Sequence, residues 1–185
     1  MGELQRSESG IALLVTILTV LLLSALVAAV VVLSSTESLI ASSFRGSREA
    51  FYAAEAVGEW AVAALSALTD EWTSVANGLV ASPFVDGPAT GTRTMSGEVV
   101  VDLTAIAAAN PGWRLFAYGA LGDLLQSSRA SQFYTVSLVA QDAASLDRMK
   151  IRAMVFGPRG GRRALELGIS RSARGVHVLS WAELR

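Results

Sequence analysis

His177 is the chain's one histidine and the first candidate for moving a proton. It sits in the alternating run Val176-His177-Val178-Leu179-Ser180-Trp181, where strand periodicity puts it on a face with Leu179 and Trp181. No nearby residue offers a nucleophile or an orienting acid, so the run predicts a packed or partly exposed strand histidine instead of a catalytic base. One histidine excludes a multi-histidine metal site, and the absence of cysteine removes disulfides, thiolate zinc sites and cysteine nucleophiles together. Asp142 and Asp147 flank a loop where a hard cation such as calcium could sit, but two carboxylates fall short of the roughly six to eight oxygens it takes. Gly157-Pro158-Arg159-Gly160-Gly161-Arg162-Arg163 could cradle an anion through backbone amides and guanidiniums. It lacks the spacing of a phosphate loop and no helix follows, so a hairpin turn with solvated arginines is expected. These residues specify no enzyme, no metal site and no cofactor.

The elements around them say more. Of 185 residues 52% are hydrophobic, and the mean hydropathy of +0.46 is too apolar for an ordinary soluble domain. Fifteen Lys and Arg against 16 Asp and Glu leave a formal net charge of −1, which gives no field to gather nucleic acid. The apolar content is concentrated: from Ile11 to Leu33 there is no charge, Gly or Pro. As a helix this run spans roughly 35 Å, enough to cross a hydrocarbon core of about 30 Å. Thr16, Thr19 and Ser24 can bond back to the helix's own carbonyls and so interrupt it little. Leu26-Val27-Ala28 offers a small residue for signal peptidase, but secretory cores are about 7 to 15 residues long, so a retained anchor embedded in membrane lipid is expected. Glu3, Arg6 and Glu8 on one side and Glu37, Arg45, Arg48 and Glu49 on the other are too evenly balanced for charge counting to fix the orientation.

No Pro precedes Pro83, and no Gly falls between Gly10 and Gly46, so the anchor is expected to continue into the next segment as one helix. Beyond Leu33 the pattern becomes one-sided: Ile40, Phe44, Ser47, Phe51, Ala54, Gly58, Ala61, Leu65, Leu68 and Trp72 step by fours and threes. Small residues at Ala54, Gly58 and Ala61 admit a close backbone, which suits partner packing from Phe44 to Ala61. Leu65, Leu68 and Trp72 suit the chain's own core. Asn77-Gly78 is a natural stop, giving a rod from about residue 11 to about 75, on the order of 95 Å.

Residues 78 to 97 are rich in Gly and Pro and read as a surface connection. Strands are expected at Glu98–Asp102, Trp113–Tyr118, Gln132–Ala140, Arg148–Phe156, Arg163–Ser170 and Gly175–Trp181, with a short helix at Thr104–Asn110. Arg148, Lys150 and Arg152 alternate with Met149, Ile151, Ala153 and Val155, which implies a one-sided antiparallel meander whose apolar side a helix covers. The fold class is α+β. The segments are 1–10, a leader; 11–33, a transmembrane helix; 34–76, its amphipathic continuation; and 77–185, a β-rich domain.

This order resembles the pilins. Ser9-Gly10-Ile11-Ala12-Leu13-Leu14 resembles a class III prepilin junction, and Ala50-Phe51-Tyr52-Ala53-Ala54-Glu55-Ala56 resembles the stem motif of PilX-type minor pilins of type IV pili. The likeness covers about residues 1 to 72; Trp113–Gly119 and Val178–Trp181 are similar to longer relatives of the same group, which carry a longer insertion near 141–147. The resemblance implies a pilin-like fold and a prepilin peptidase cutting after Gly10, with Ile11 the N-methylated mature terminus. It implies an inner-membrane protein with a cytoplasmic N-terminus and a periplasmic C-terminal domain. Its partners would be other pilin or minor pilin subunits, the peptidase and the inner-membrane assembly machinery.

Two departures stand out. Major pilins carry a glutamate at the fifth mature position, counter-charge to a neighbour's ammonium in the apolar filament core; here that position is Val15. A buried unpaired ammonium is costly, so the lack fits a subunit that starts or caps a filament at its tip, as in the K-type pseudopilin of type II secretion. The leader, with Glu3 and Glu8, is weakly basic. The other reading is an uncleaved signal-anchored envelope protein whose outer domain binds a partner or ligand.

Overall fold

The computed structural model describes residues 2–95, 99–126, 128–130 and 132–184. Helix α1 spans Gly2–Ala67. It begins before Ile11 because Glu3, Leu4, Gln5 and Arg6 are strong helix formers and Gly10, at about 1 kcal/mol, is too small a penalty to break it. The chain divides into two compact units, one through Arg45 and one from Gly46 onward, so the second unit starts inside the segment expected as the amphipathic continuation.

In the first unit every described side chain is exposed, and the helix satisfies its own hydroxyls. Thr16 donates to the carbonyls of Ala12 (2.7 Å) and Leu13 (2.9 Å), and Thr19 to that of Val15 (2.8 Å).

The second unit contains the end of α1 and everything after it. The α-helix stops at Ala67, earlier than the expected residue 75. Thr69 and Asp70 are weak helix formers, and Thr69–Glu71 tightens into a 3-10 turn before α2 (Trp72–Ala76). The break serves Trp72, which is fully buried and donates its indole N–H to the carbonyl of Leu146 at 3.1 Å. Gly78, at φ +75°, ends α2 as expected; Asn77 stays right-handed.

A hairpin of β1 (Thr92–Met95) and β2 (Val99–Asp102) follows, then α3 (Leu103–Ala109), capped by the Asp102 carboxylate accepting from the Ala105 N–H. Strand β1 falls in the segment expected as a surface connection, and Glu98, expected as a strand start, lies outside the described residues. The main sheet is β3 (Arg114–Ala120), β4 (Tyr134–Gln141), β5 (Arg148–Phe156), β6 (Arg162–Ser172) and β7 (Gly175–Leu184), with a short helix α4 (Leu121–Leu125) after β3 that the sequence pattern does not announce. The order is the expected antiparallel meander, β3-β4-β5-β6-β7. The mixed α+β architecture is consistent with a pilin-like fold.

The sheet is not one-sided. Its α1 face carries Met149, Ile151, Ala153, Val155, Leu165 and Leu167 against Ala54, Val57, Ala61 and Leu65. The opposite face of β3–β5 carries Tyr118, Tyr134, Val136, Leu138 and Met154, covered by Val99, Val101 and Leu103 of the hairpin and α3. That is why β4 is buried along Tyr134–Val139 even at its alternating polar residues Thr135 and Ser137.

Candidate membrane anchor and assembly stem

From Ile11 to Leu33 large apolar residues point in every direction and are 52–66% exposed. A helix apolar all round needs an apolar surround, since nothing in its own unit covers it. Its mean hydropathy of 2.9 over the most apolar window makes it long and apolar enough to cross a membrane. Gly10 and Ile11 lie on this exposed helix, and a Cβ at Gly10 would meet no atom within 4 Å. Val15 is likewise exposed, its carbonyl engaged by Thr19.

The predicted stripe divides. Ile40 and Phe44 are exposed. From Ala50 the helix turns one face to its own sheet: Ala50, Ala53, Ala54, Val57, Ala61 and Leu65 are buried. This corrects the expectation that Ala54, Gly58 and Ala61 wait for a partner. A Cβ on Gly58 would stand 3.1 Å from Leu167 Cδ1, so the small residues admit the sheet of the same chain. Phe51 is half-buried, edge-on to Trp181 with centroids 5.9 Å apart. Leu68 is half-buried and Glu55 lies at the margin of the covered face. Sequence periodicity missed Ala50, Ala53 and Val57; the signal was present in the neighbouring alanines, which widen a seam into a face.

Polar groups in this unit are taken up by the fold. The Asp147 carboxylate is 2.9 Å from Arg171, whose guanidinium also donates to the Thr69 carbonyl (2.9 Å) and lies over Trp72. Asp142 accepts from the Ala144 N–H. The two acids of this loop therefore have separate internal tasks. Asp147 also borders a polar depression of about 570 Å³ lined by Ser66, Asp70 and Arg171 as well. Arg152 lies over Trp113, 4.2 Å from its centroid, and donates to Asn110 and to Glu166 (2.7 Å), fastening α3 to the sheet. Arg163 donates to Ser47 and pairs with Glu183, while Arg162 rests on Phe156, so two arginines of the glycine-rich turn contact protein. Burial, and next the Asp86 carboxylate that accepts from it at 3.4 Å, raise the Tyr134 phenol above the ordinary tyrosine range.

His177 is exposed, and it does not share a face with Trp181. A bulge between Gly168 and Ile169 pairs Ile169 with Val178 and Gly168 with Ser180, skipping Leu179 and changing the phase of the strand. His177 then stands beside Ser170, on the side of the sheet away from α1.

With the exposed anchor and the buried stem face in place, one comparison decides how far the family goes. Residues 9–57 match the PilX N-terminal family. No curated protein and no solved structure matches the chain. The match spans less than half of the chain, from the residue before Gly10 to the buried Val57. It supports a PilX-type pilin, related to type IV pili and structural in kind, and suggests interaction with other pilus subunits. Together with the long apolar helix it is consistent with a membrane-anchored protein.

Proposed function

We propose that the chain is a minor pilin of the PilX type, held in the bacterial inner membrane by residues 11–33 and helping to initiate or cap a type IV pilus-like filament. The carrying observation is the coincidence of the PilX N-terminal match with a helix segment that is apolar on all sides and uncovered. On this reading a prepilin peptidase cuts between Gly10 and Ile11, and Ile11 becomes a methylated terminus. The C-terminal unit is periplasmic and later external, and other pilins and the inner-membrane assembly machinery are the partners. Val15 keeps the subunit at or near the tip, because it supplies no carboxylate to a neighbouring ammonium in an apolar core.

One observation favours the other reading, an uncleaved signal anchor. Gly10 and Ile11 lie within α1, and a helical peptide bond must unwind to enter a protease site. Intact-mass measurement on membrane-extracted protein separates the two. A minor pilin has lost residues 1–10 and gained one methyl group; an uncleaved anchor keeps both ends. Gly10→Leu is expected to leave only precursor in the membrane, and normal maturation of that variant would remove the case for a prepilin.

A further inference from the structure

On its α1 side the main sheet is only partly covered. The buried face of α1 meets β5 and β6, at Ile151, Leu165 and Leu167 among others, but of β7 only Val176 packs against that core among the described residues. Val178 and Trp181 stand opposite Ile169 and Leu167 and so belong to the same side, yet they are 50% and 48% exposed. They form an apolar ledge. Its wall is the flank of α1 nearest β6 and β7, where Phe51 lies edge-on to Trp181 and a Cβ on Gly58 would press on Leu167. Glu55 lies on that flank, one turn beyond Phe51. It is half-buried and has neither an ion pair nor a hydrogen bond among the described residues. The arginines of this seam are placed elsewhere: Arg163 pairs with Glu183 and donates to Ser47, and Arg48 lies about 10 Å back along the helix. A carboxylate half withdrawn from water beside an apolar floor is completed by a cation.

We propose that the ledge over β7 is the berth of one amphipathic helix, the stem of a different pilin-type subunit that runs alongside α1 in the same direction and sets a Lys or Arg against Glu55. The inference rests on the pilin reading above and names the surface that reading leaves open. Spacing argues for a helix. Strand β7 lies two strands from β5, about 10 Å away, and packed helices lie about 8–10 Å apart, so a helix beside α1 comes to rest on Val178 and Trp181. Direction follows from the membrane. Subunits whose anchors insert from the same side carry parallel stems, and a side-by-side contact between them is heterologous, with no two-fold axis across the stems. Charge argues for a different subunit. From Glu49 to Ala67 α1 contains no Lys or Arg, so a second copy inserted to the same depth would bring only acids level with Glu55.

The test puts p-benzoylphenylalanine, a photoreactive aromatic of similar bulk, in place of Trp181 in the full chain in its native membranes. Light is expected to join it to the stem helix of another pilin-type subunit, within two turns of a Lys or Arg, as read by peptide mass spectrometry. The same probe at Val100, exposed on β2, is expected to give no such product. Glu55→Lys should lower the yield at least tenfold and Glu55→Gln, which keeps the shape, by less. Changing the partner's Lys or Arg to Glu should restore the yield with Glu55→Lys, which a merely misfolded variant would not allow. A yield indifferent to Glu55→Lys overturns the proposal, as do failure of the charge swap and a product on a strand or on a second copy. Loss of residues 1–10 with no helix captured overturns this inference alone, whereas an uncleaved chain whose ledge holds a helix from a protein of another kind overturns the pilin reading with it.

Discussion

Between Ile11 and Leu33 no side chain of α1 is buried, whereas from Ala50 to Leu65 the same element buries six residues of its own unit's core, five of them Ala or Val. Both stretches are strongly apolar, so hydrophobicity alone does not separate them. Size and distribution do. The first uses Leu, Ile and Val all round, which maximises apolar surface toward a fluid surround. The second places small residues on one face, which lets a sheet approach closely, and leaves Glu59 exposed elsewhere. One segment is completed by a solvent and the other by a surface.

Substitutions can break this contrast, and Trp72→Ala is expected to be the most damaging. Trp72 is fully buried and its indole N–H is satisfied by the Leu146 carbonyl, so the loss should be about 3–5 kcal/mol in a denaturant or thermal melt of the second unit. An effect under about 1 kcal/mol would mean that the break after Ala67 is not built around this ring.

Val15→Glu tests the first segment. A carboxylate there should cost roughly 2–3 kcal/mol if it sits deep in the bilayer, less near the interface, and should lower or leave unchanged the membrane level. In a filament it supplies a counter-charge, so the variant should co-purify with sheared fibres in modestly greater amount, read by mass spectrometry against the major pilin. A wild type already as abundant as the major subunit sinks the tip assignment.

Gly58→Leu and Gly46→Ala sharpen the comparison on either side of the buried face. At Gly58 a Cβ alone reaches 3.1 Å from Leu167, so a full leucine should destabilise by about 1–3 kcal/mol through overpacking. At Gly46 an added Cβ meets nothing within 4 Å, and alanine should stabilise the helix by about 0.4–1 kcal/mol. Equal melting shifts of the same sign would show that the two glycines do not differ in surroundings.

Alkaline titration gives the smallest effect. The Tyr134 phenol is raised above its ordinary value of 10.0, first by burial and then by Asp86. The folded state thus favours the protonated form. This contribution is complete below the ordinary value of 10.0 and fades only as pH rises beyond it, so melts between about pH 6 and 9 should show no term from Tyr134→Phe that changes with pH.

The long apolar helix, the meander and the full extent of β5 were legible because each rests on a strong local signal: an unbroken apolar run, or strict alternation such as Arg148-Met149-Lys150-Ile151. What escaped the sequence depends on distant partners. Strand β4 hides its second buried face because the hairpin of β1 and β2 returns to cover it, and Thr92–Met95 carries no hydrophobic period to announce that role. The bulge at Leu179 moves His177 to the other face without leaving a mark in the alternation. The covering of Ala54, Gly58 and Ala61 by the chain's own sheet could not be told from a subunit contact, since both require small residues.

The close fit of Gly58 against Leu167 also sets a schedule. Leu167 leaves the ribosome about a hundred residues after Gly58, an interval of roughly 5–20 s at ordinary rates of synthesis. Through that time the face of α1 made for β5 and β6 has no cover from its own chain, while the strands that will supply it are still being made. The long meander comes last, so an apolar face of the second unit is the first to appear, and its safety until β6 arrives is a matter of timing.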